Sequence, residues 1–293
     1  MSAADRHMDG IKKFRTLFIS DIHLGTPDCQ ASALIDFLRE HDAETIYLVG
    51  DIVDMWRMRR KGFYWPQGHN DVVQKLLRKA RNGTRIVYVP GNHDETLRNY
   101  LGQHFGGIEV RERDIFSTAN GKRFLVIHGD EFDMVVMNIR WLAYLGDSAY
   151  SFAMWFNKWL NHARRSFGLP YWSFSKWAKN KVKQAVSYIG DFERVMTEEA
   201  RKHGVDGIIC GHIHHAANEM RGTVHYVNTG DWVESCTAIA EHHDGRLELI
   251  DWNDIVRIRH AMLNGHIRNL SHTAQYANDS TLQPIAGQGT RRA

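Results

Sequence analysis

The sequence predicts a layered α/β fold, and three observations carry that expectation. Short β-rich apolar runs recur along the chain, each stopping at a small cluster of Asp, His, Asn and Gly. The runs do not alternate polar with apolar, the pattern of strands buried on both faces. Helical patterns separate the first three runs, and such alternation layers helices on sheet with polar residues gathered at the strand tips.

Taken in order, Leu17-Phe18-Ile19 leads into Ser20-Asp21-Ile22-His23, and Ile46-Tyr47-Leu48-Val49 into Gly50-Asp51. Ile86-Val87-Tyr88-Val89 passes through Pro90 into Gly91-Asn92-His93-Asp94. Phe124-Leu125-Val126-Ile127 ends at His128-Gly129-Asp130, and Ile208-Ile209-Cys210 at Gly211-His212-Ile213-His214. Between them, Ala33, Leu34, Phe37 and Leu38 mark one helix face, and Val72, Val73, Leu76 and Leu77 another. Residues 223–228, 237–241 and 247–252 read as shorter strands, with Asp244-Gly245 as a hairpin signal between the last two. The polar, aperiodic stretch 262–293 predicts a tail without fixed structure.

A chain of 293 residues with 43% hydrophobic content supports one large core plus a modest insertion. Its net charge of +3 is too small to imply a nucleic-acid partner by itself. Three widely spaced cysteines without a CxxC argue against a disulfide framework and a thiolate zinc site, and point to a reducing, cytoplasmic compartment. The polar, basic first residues carry no secretory signal, and no apolar stretch reaches the ~18–20 residues of a spanning helix.

Residues 132–200 break the rhythm. Five tryptophans fall here, and from Met134 to Ile189 eight basic residues face a single acid, a local charge of +7. Phe152, Trp155, Phe156, Trp159 and Leu160 follow helical spacing. A helical cap beside the site is expected, flanked by sandwich segments 14–131 and 201–256. Its aromatics either pack on the sandwich, receive acyl chains while the basic side meets anionic lipid heads, or stack bases. The contiguous aromatic face favours the first two over the third.

Any one polar cluster is weak, because an Asp-x-His pair is usually a turn and a surface imidazole. Five such clusters at successive strand tips are another matter. They offer Asp21, His23, Asp51, Asn92, His128, His212 and His214, oxygen and nitrogen donors suited to two cations of the Mn, Fe or Zn kind. Imidazoles disfavour a purely magnesium site. Two cations sharing a carboxylate and a water lower that water's pKa and make it a nucleophile at neutral pH. His93 follows a candidate ligand directly, so it is free to face substrate as a transition-state donor or general acid. Asp54 either orients His93 or caps a helix. Gly50, Gly91, Gly129 and Gly211 either admit close backbone approach or serve ordinary turns. Asn228 to Asp231 reads as a turn, and His69, His104, His162, His203, His215, His242 and His243 read as surface residues.

SDIHLG, GDIVD, GNHD, HGD and GHIH together resemble the calcineurin-like metallophosphoesterase superfamily over roughly residues 15–252. The resemblance implies a four-layer αββα sandwich with a helical cap insertion and a dimetal site at its edge. It implies Asp21, His23, Asp51 and His214 on one metal and Asp51, Asn92, His128 and His212 on the other, with Asp51 bridging. The late segment Asn228 to Asp231 also resembles a family stretch near the metals. A helical insertion between HGD and GHIH further resembles the UDP-2,3-diacylglucosamine diphosphatases of lipid A synthesis. These are manganese-dependent, membrane-associated cytoplasmic enzymes that release UMP and 2,3-diacylglucosamine 1-phosphate. That resemblance implies two manganese ions, a phosphate-containing glycolipid or nucleotide substrate, a peripheral position on the inner membrane, and no nucleic-acid partner. Trp155, Trp159, Arg164, Lys176, Lys179 and Lys183 are the expected substrate-binding residues of the cap. One departure matters: that family usually carries Arg in its third motif, where this chain has His93. A soluble phosphodiesterase acting on cyclic nucleotides or small esters is therefore the alternative. A metal-free scaffold is disfavoured, since all seven ligand candidates and His93 are present.

Overall fold

The computed structural model describes residues 11–132 and 174–262, with backbone alone for Lys61 and 174–187. Two sheets form the body. The first has seven strands: β1 (Lys12–Ile19), β2 (His41–Val49), β3 (Arg85–Val89), β4 (His104–Phe105), β5 (Ile108–Val110), β11 (Thr237–Glu241) and β12 (Leu247–Asp251), in the order β12-β11-β1-β2-β3-β5-β4. The second has β6 (Asp114–Ser117), β7 (Arg123–Val126), β8 (Gly207–Cys210), β9 (Ala217–Arg221) and β10 (Val224–Asn228), in the order β6-β7-β8-β10-β9. The central strands β1, β2, β3 and β5 run parallel, as do β7, β8 and β10, while β11, β4, β6 and β9 join antiparallel.

Each apolar run buries alternate residues on opposite faces, which is why it shows no polar alternation. Phe124 and Val126 turn inward with Phe18, Val49, Val87, Ile209 and Ile239 to form the core between the sheets. Leu125, Ile127, Ile208 and Cys210 turn outward and are covered by Phe192, Met196 and Ala200 of the helix α4 (Phe174–Lys202; α1 to α3 precede it). The last turns of α4 are therefore a layer of the sandwich. On the first sheet, α1 (Ala31–Glu40) buries Leu34, Ile35, Phe37 and Leu38, packing on β2 and on α3 (Gln67–Arg81). The result is the expected helix–sheet–sheet–helix order.

The buried face of α3 is His69, Val72, Leu76 and Lys79, whereas Leu77 lies exposed. His69 is thus a correction to its reading as a surface residue. The strand expectations at 223–228, 237–241 and 247–252 match β10, β11 and β12, with Gly245 at positive φ in the turn. Residues 252–262 are helical and belong, with Asp251, to a separate smaller unit, within which the Arg259 guanidinium lies over the Trp252 ring. Trp155, Trp159, Arg164 and the tail 263–293 fall outside the described residues. Lys176, Lys179 and Lys183 fall where only the α4 backbone is described. No described helix is long and apolar enough to cross a membrane.

Candidate metal centre

The ends of β1 and β2 continue side by side past the last ladder pair. Asp21 N–H donates to Gly50 O (3.0 Å), His23 N–H to Asp51 O (2.9 Å) and Leu24 N–H to Ile52 O (2.9 Å). Holding two loops in this register bends the backbone into an unusual region. Among the described non-glycine residues, positive φ occurs at Asp21, His23, Asp51, His212, His214 and Cys236. Five of these six are candidate ligands. Asp and His tolerate that conformation better than most residues, and such outliers persist where surrounding structure enforces them. Two glycines are demanded by proximity. A Cβ on Gly50 would overlap the His128 ring, and one on Gly91 would overlap Asp51 Oδ1.

Donors from separate strand tips converge into three groups: Asp21, His23 and His214; His23, Asp54 and His93; and Asp51, His128 and His212. Within each, one donor atom per residue lies within 4.8 Å of the others. His214 Nε2 is 3.2 Å from Asp21 Oδ1 and 3.4 Å from His23 Nε2. Asp51 Oδ2 stands between the groups, 3.4 Å from His128 Nε2 and 3.9 Å from both His23 Nε2 and His93 Nε2. A central carboxylate shared in this way is what a bridging ligand requires.

The neighbouring bonds aim these donors. Asp21 Oδ2 accepts from Ser20 Oγ (2.5 Å) and His212 N–H (3.0 Å), which leaves Oδ1 turned toward the imidazoles. Asp51 Oδ1 accepts from His93 N–H (2.8 Å), leaving Oδ2 inward. His128 Nδ1 lies 2.9 Å from Val49 O, so that nitrogen carries the proton and Nε2 offers its lone pair. The fit to cations can be tested on atoms that water-soluble proteins rarely leave alone. Asp21 Oδ1, Asn92 Oδ1 and His128 Nε2 are buried without a hydrogen-bond partner. Buried polar atoms are normally satisfied, and three orphan acceptors at one site suit cations.

Electrostatics agree. Burial alone would raise the Asp51 carboxyl, but the His128, His93 and His23 rings hold it far below the usual carboxylate range. Asp21 is likewise opposed by burial and drawn down by His214 and His128. Burial would lower the His128 pKa, and the Asp51 carboxylate instead lifts it to about 10. Imidazoles and carboxylates hold one another here, and cations of higher charge would take over from those protons.

Asp54 does both things its sequence position allowed. Its Oδ1 accepts from Arg57 N–H (2.7 Å), capping α2 (Met55–Lys61), while Oδ2 sits 3.0 Å from His93 Nδ1 and 3.4 Å from His23 Nδ1. Burial opposes the charge on Asp54, and the hydrogen bonds of His23 and His93 outweigh it, so its carboxyl lies below the ordinary range. The indole of Trp56 packs against His93 with centroids 4.7 Å apart.

Several residues within the quoted motifs support the site in ways their spacing does not disclose. Asp94 is fully buried, taking Gly91 N–H on Oδ1 and Ile52 N–H, Val53 N–H and Tyr88 Oη–H on Oδ2. It ties the loop after β3 to the loop after β2. Burial and the Asp51 charge push its carboxyl up. Ser20 Oγ lies 2.5 Å from Thr229 Oγ1, and Trp232 N–H donates to Asp21 O, so the 228–232 segment is a turn that also braces the first loop. Only the fourth position of GNHD hinted at Asp94. His214 and His215 are exposed, as are His104, His203 and His243, while His242 is half-buried beside Glu248.

A family profile described as calcineurin-like phosphoesterase matches residues 14–216. The chain belongs to that family, and is a metal-dependent hydrolase. Family and donor groups together indicate a two-metal site. A UDP-2,3-diacylglucosamine hydrolase of Cellvibrio japonicus is 30% identical over 249 residues, spanning 78% of this chain and 92% of the relative. One from Porphyromonas gingivalis is 33% identical over 122 residues, 39% of this chain and less than half (45%) of the relative. Among solved structures, Yfce, a phosphoesterase from E. coli, aligns with TM-score 0.43 and 18% identity, covering 82% of this chain and 93% of Yfce.

Proposed function

We propose that the protein hydrolyses the pyrophosphate of a nucleotide-linked glycolipid, taking UDP-2,3-diacylglucosamine and water to UMP and 2,3-diacylglucosamine 1-phosphate. The observation that carries the reading is the meeting of donors from separate strand tips around Asp51 Oδ2. Relatives named for this substrate over most of their length support the finer assignment. Asp21, His23, Asp51 and His214 would hold one cation, and Asp51, Asn92, His128 and His212 the other. Manganese is the cation that the resemblance to the lipid A enzymes implies, while the imidazole-rich donor set equally suits iron or zinc. When bound, such a pair activates water and neutralises phosphate oxygens.

The protein's own groups then do the positioning. Asp54 Oδ2, 3.0 Å from His93 Nδ1, would stabilise the doubly protonated ring, whose Nε2–H would donate to a phosphate oxygen or protonate the departing one. The basic insertion supplies Trp155, Trp159, Arg164, Lys176, Lys179 and Lys183 for the acyl chains and phosphates, at the cytoplasmic face of a membrane.

The test is turnover by purified full-length protein with Mn²⁺, supplied in parallel with UDP-2,3-diacylglucosamine and with bis(p-nitrophenyl) phosphate or a cyclic nucleotide. UMP release from the glycolipid is expected. Turnover of the water-soluble esters alone would end the lipid reading. His93, standing where the lipid A enzymes usually have Arg, is the observation favouring that second outcome, a soluble phosphodiesterase.

A further inference from the structure

We propose that residues 56–64, beside the metal centre, form the surface by which the protein docks on anionic lipid headgroups. This deepens the reading of a lipid substrate met at a membrane, and it places the contact outside the basic insertion.

The segment begins at the site itself. Asp54 caps α2 and holds His93, and Trp56, in the first turn of α2, packs on the His93 ring. From Met55 to Asn70 the chain carries Arg57, Arg59, Arg60 and Lys61 and no acid. Several arginines elsewhere are matched: Arg15 with Glu241, Arg98 with Asp130, Arg111 with Glu109 and Asp114. Among the described residues, no ion pair involves Arg57, Arg59 or Arg60, and the last two are exposed. Unmatched guanidinium groups in a row are a positive field seeking anionic oxygens, and a guanidinium fork suits phosphate.

Apolar surface lies beside those charges. Phe63 is 79% exposed, Tyr64 41% and Trp56 36%. These rings are braced. Phe63 stacks on Trp65, and Tyr64 and Trp65 meet the buried His69 edge-on. His69 Nδ1 accepts from Gly25 N–H (3.0 Å), which anchors the aromatic loop to the stretch following His23. Aromatic rings beside unpaired arginines are the composition of an interfacial contact, with rings entering the headgroup boundary and cations meeting phosphates. Phe63 stands largely open to solvent, and an open apolar ring beside guanidinium groups suits the headgroup boundary of an anionic membrane.

The experiment is sedimentation of the full chain with phosphatidylcholine vesicles, with and without phosphatidylglycerol. Arg59→Gln/Arg60→Gln and Phe63→Ser are compared with wild type, and turnover of bis(p-nitrophenyl) phosphate reports an intact site. Binding only to the anionic vesicles is expected. The double arginine variant should bind on the order of 30-fold more weakly, and Phe63→Ser about tenfold, with diester turnover unchanged. Wild-type binding that ignores lipid charge, or variants that bind as wild type, would overturn the proposal. So would tighter binding to a single-stranded oligonucleotide than to anionic vesicles, lost in the same variants. Glycolipid hydrolysis is read separately. If it fails in every form while vesicle binding follows the variants, the substrate reading falls and the docking surface stands.

Discussion

The two halves of the metal centre use the same residue types and the same left-handed backbone, yet differ in their access to water. Asp51, His128 and His212 are buried, whereas the side chain of His214, which completes the group with Asp21 and His23, is 37% exposed. The inner donors His128 and His212 follow the ends of β7 and β8, with Phe192 against His212, whereas the outer group reaches the rim through His214. Burial governs exchange more than donor chemistry does. Chelation of the loaded protein is accordingly expected in two phases, the rim cation leaving first. Simultaneous loss, followed by metal analysis over time, would break the distinction.

Asp51→Ala should have the largest effect, because Oδ2 is the atom both halves share. Both cations and measurable turnover are expected to go, whereas His214→Ala should lose the rim cation alone, read as metal per protein. His93→Ala should keep both cations and lose roughly 10²–10⁴-fold in turnover. If it hydrolyses the best substrate at the parental rate, the role given to His93 is wrong. Ser20→Ala removes a donor to Asp21 Oδ2 and should weaken the rim cation by about 10–100-fold while sparing the inner one. Calorimetric titration resolves the two.

The smallest effect concerns pH. Burial lowers the pKa of His69 below its ordinary value of 6.5. The folded form needs the neutral ring, whose Nδ1 accepts from Gly25 N–H. The unfolded chain takes up a proton first as pH falls, so this contribution is complete above pH 6.5 and lost progressively below it. Melting temperatures of wild type should decline between neutral pH and pH ~5 more than those of His69→Asn. Parallel curves would remove His69 as the support of the outer loop.

The donors were legible because each closes an apolar run whose pattern already marks a buried strand, so fold and site shared one signal. The roles of Asp94 and Ser20 were not, although both fall inside quoted motifs, since they work through backbone and hydroxyl contacts that spacing does not reveal. His69 was misread because helical periodicity was scored on apolar residues, and its burial follows from a hydrogen bond to a loop far away in sequence. Strands β4, β5, β6 and β9 are short and partly exposed, so they lack the continuous apolar runs that disclosed the others.

Asp54 offers one oxygen to the start of α2 and the other to His93. An amide at this position would still cap the helix, since its carbonyl accepts the Arg57 N–H, but it could not counter an imidazolium. Asp54→Asn should therefore leave thermal stability nearly intact while depressing turnover. The two oxygens also make a lever: a push on α2 from outside has a path of a few ångströms, through one carboxylate, to the ring proposed as the acid.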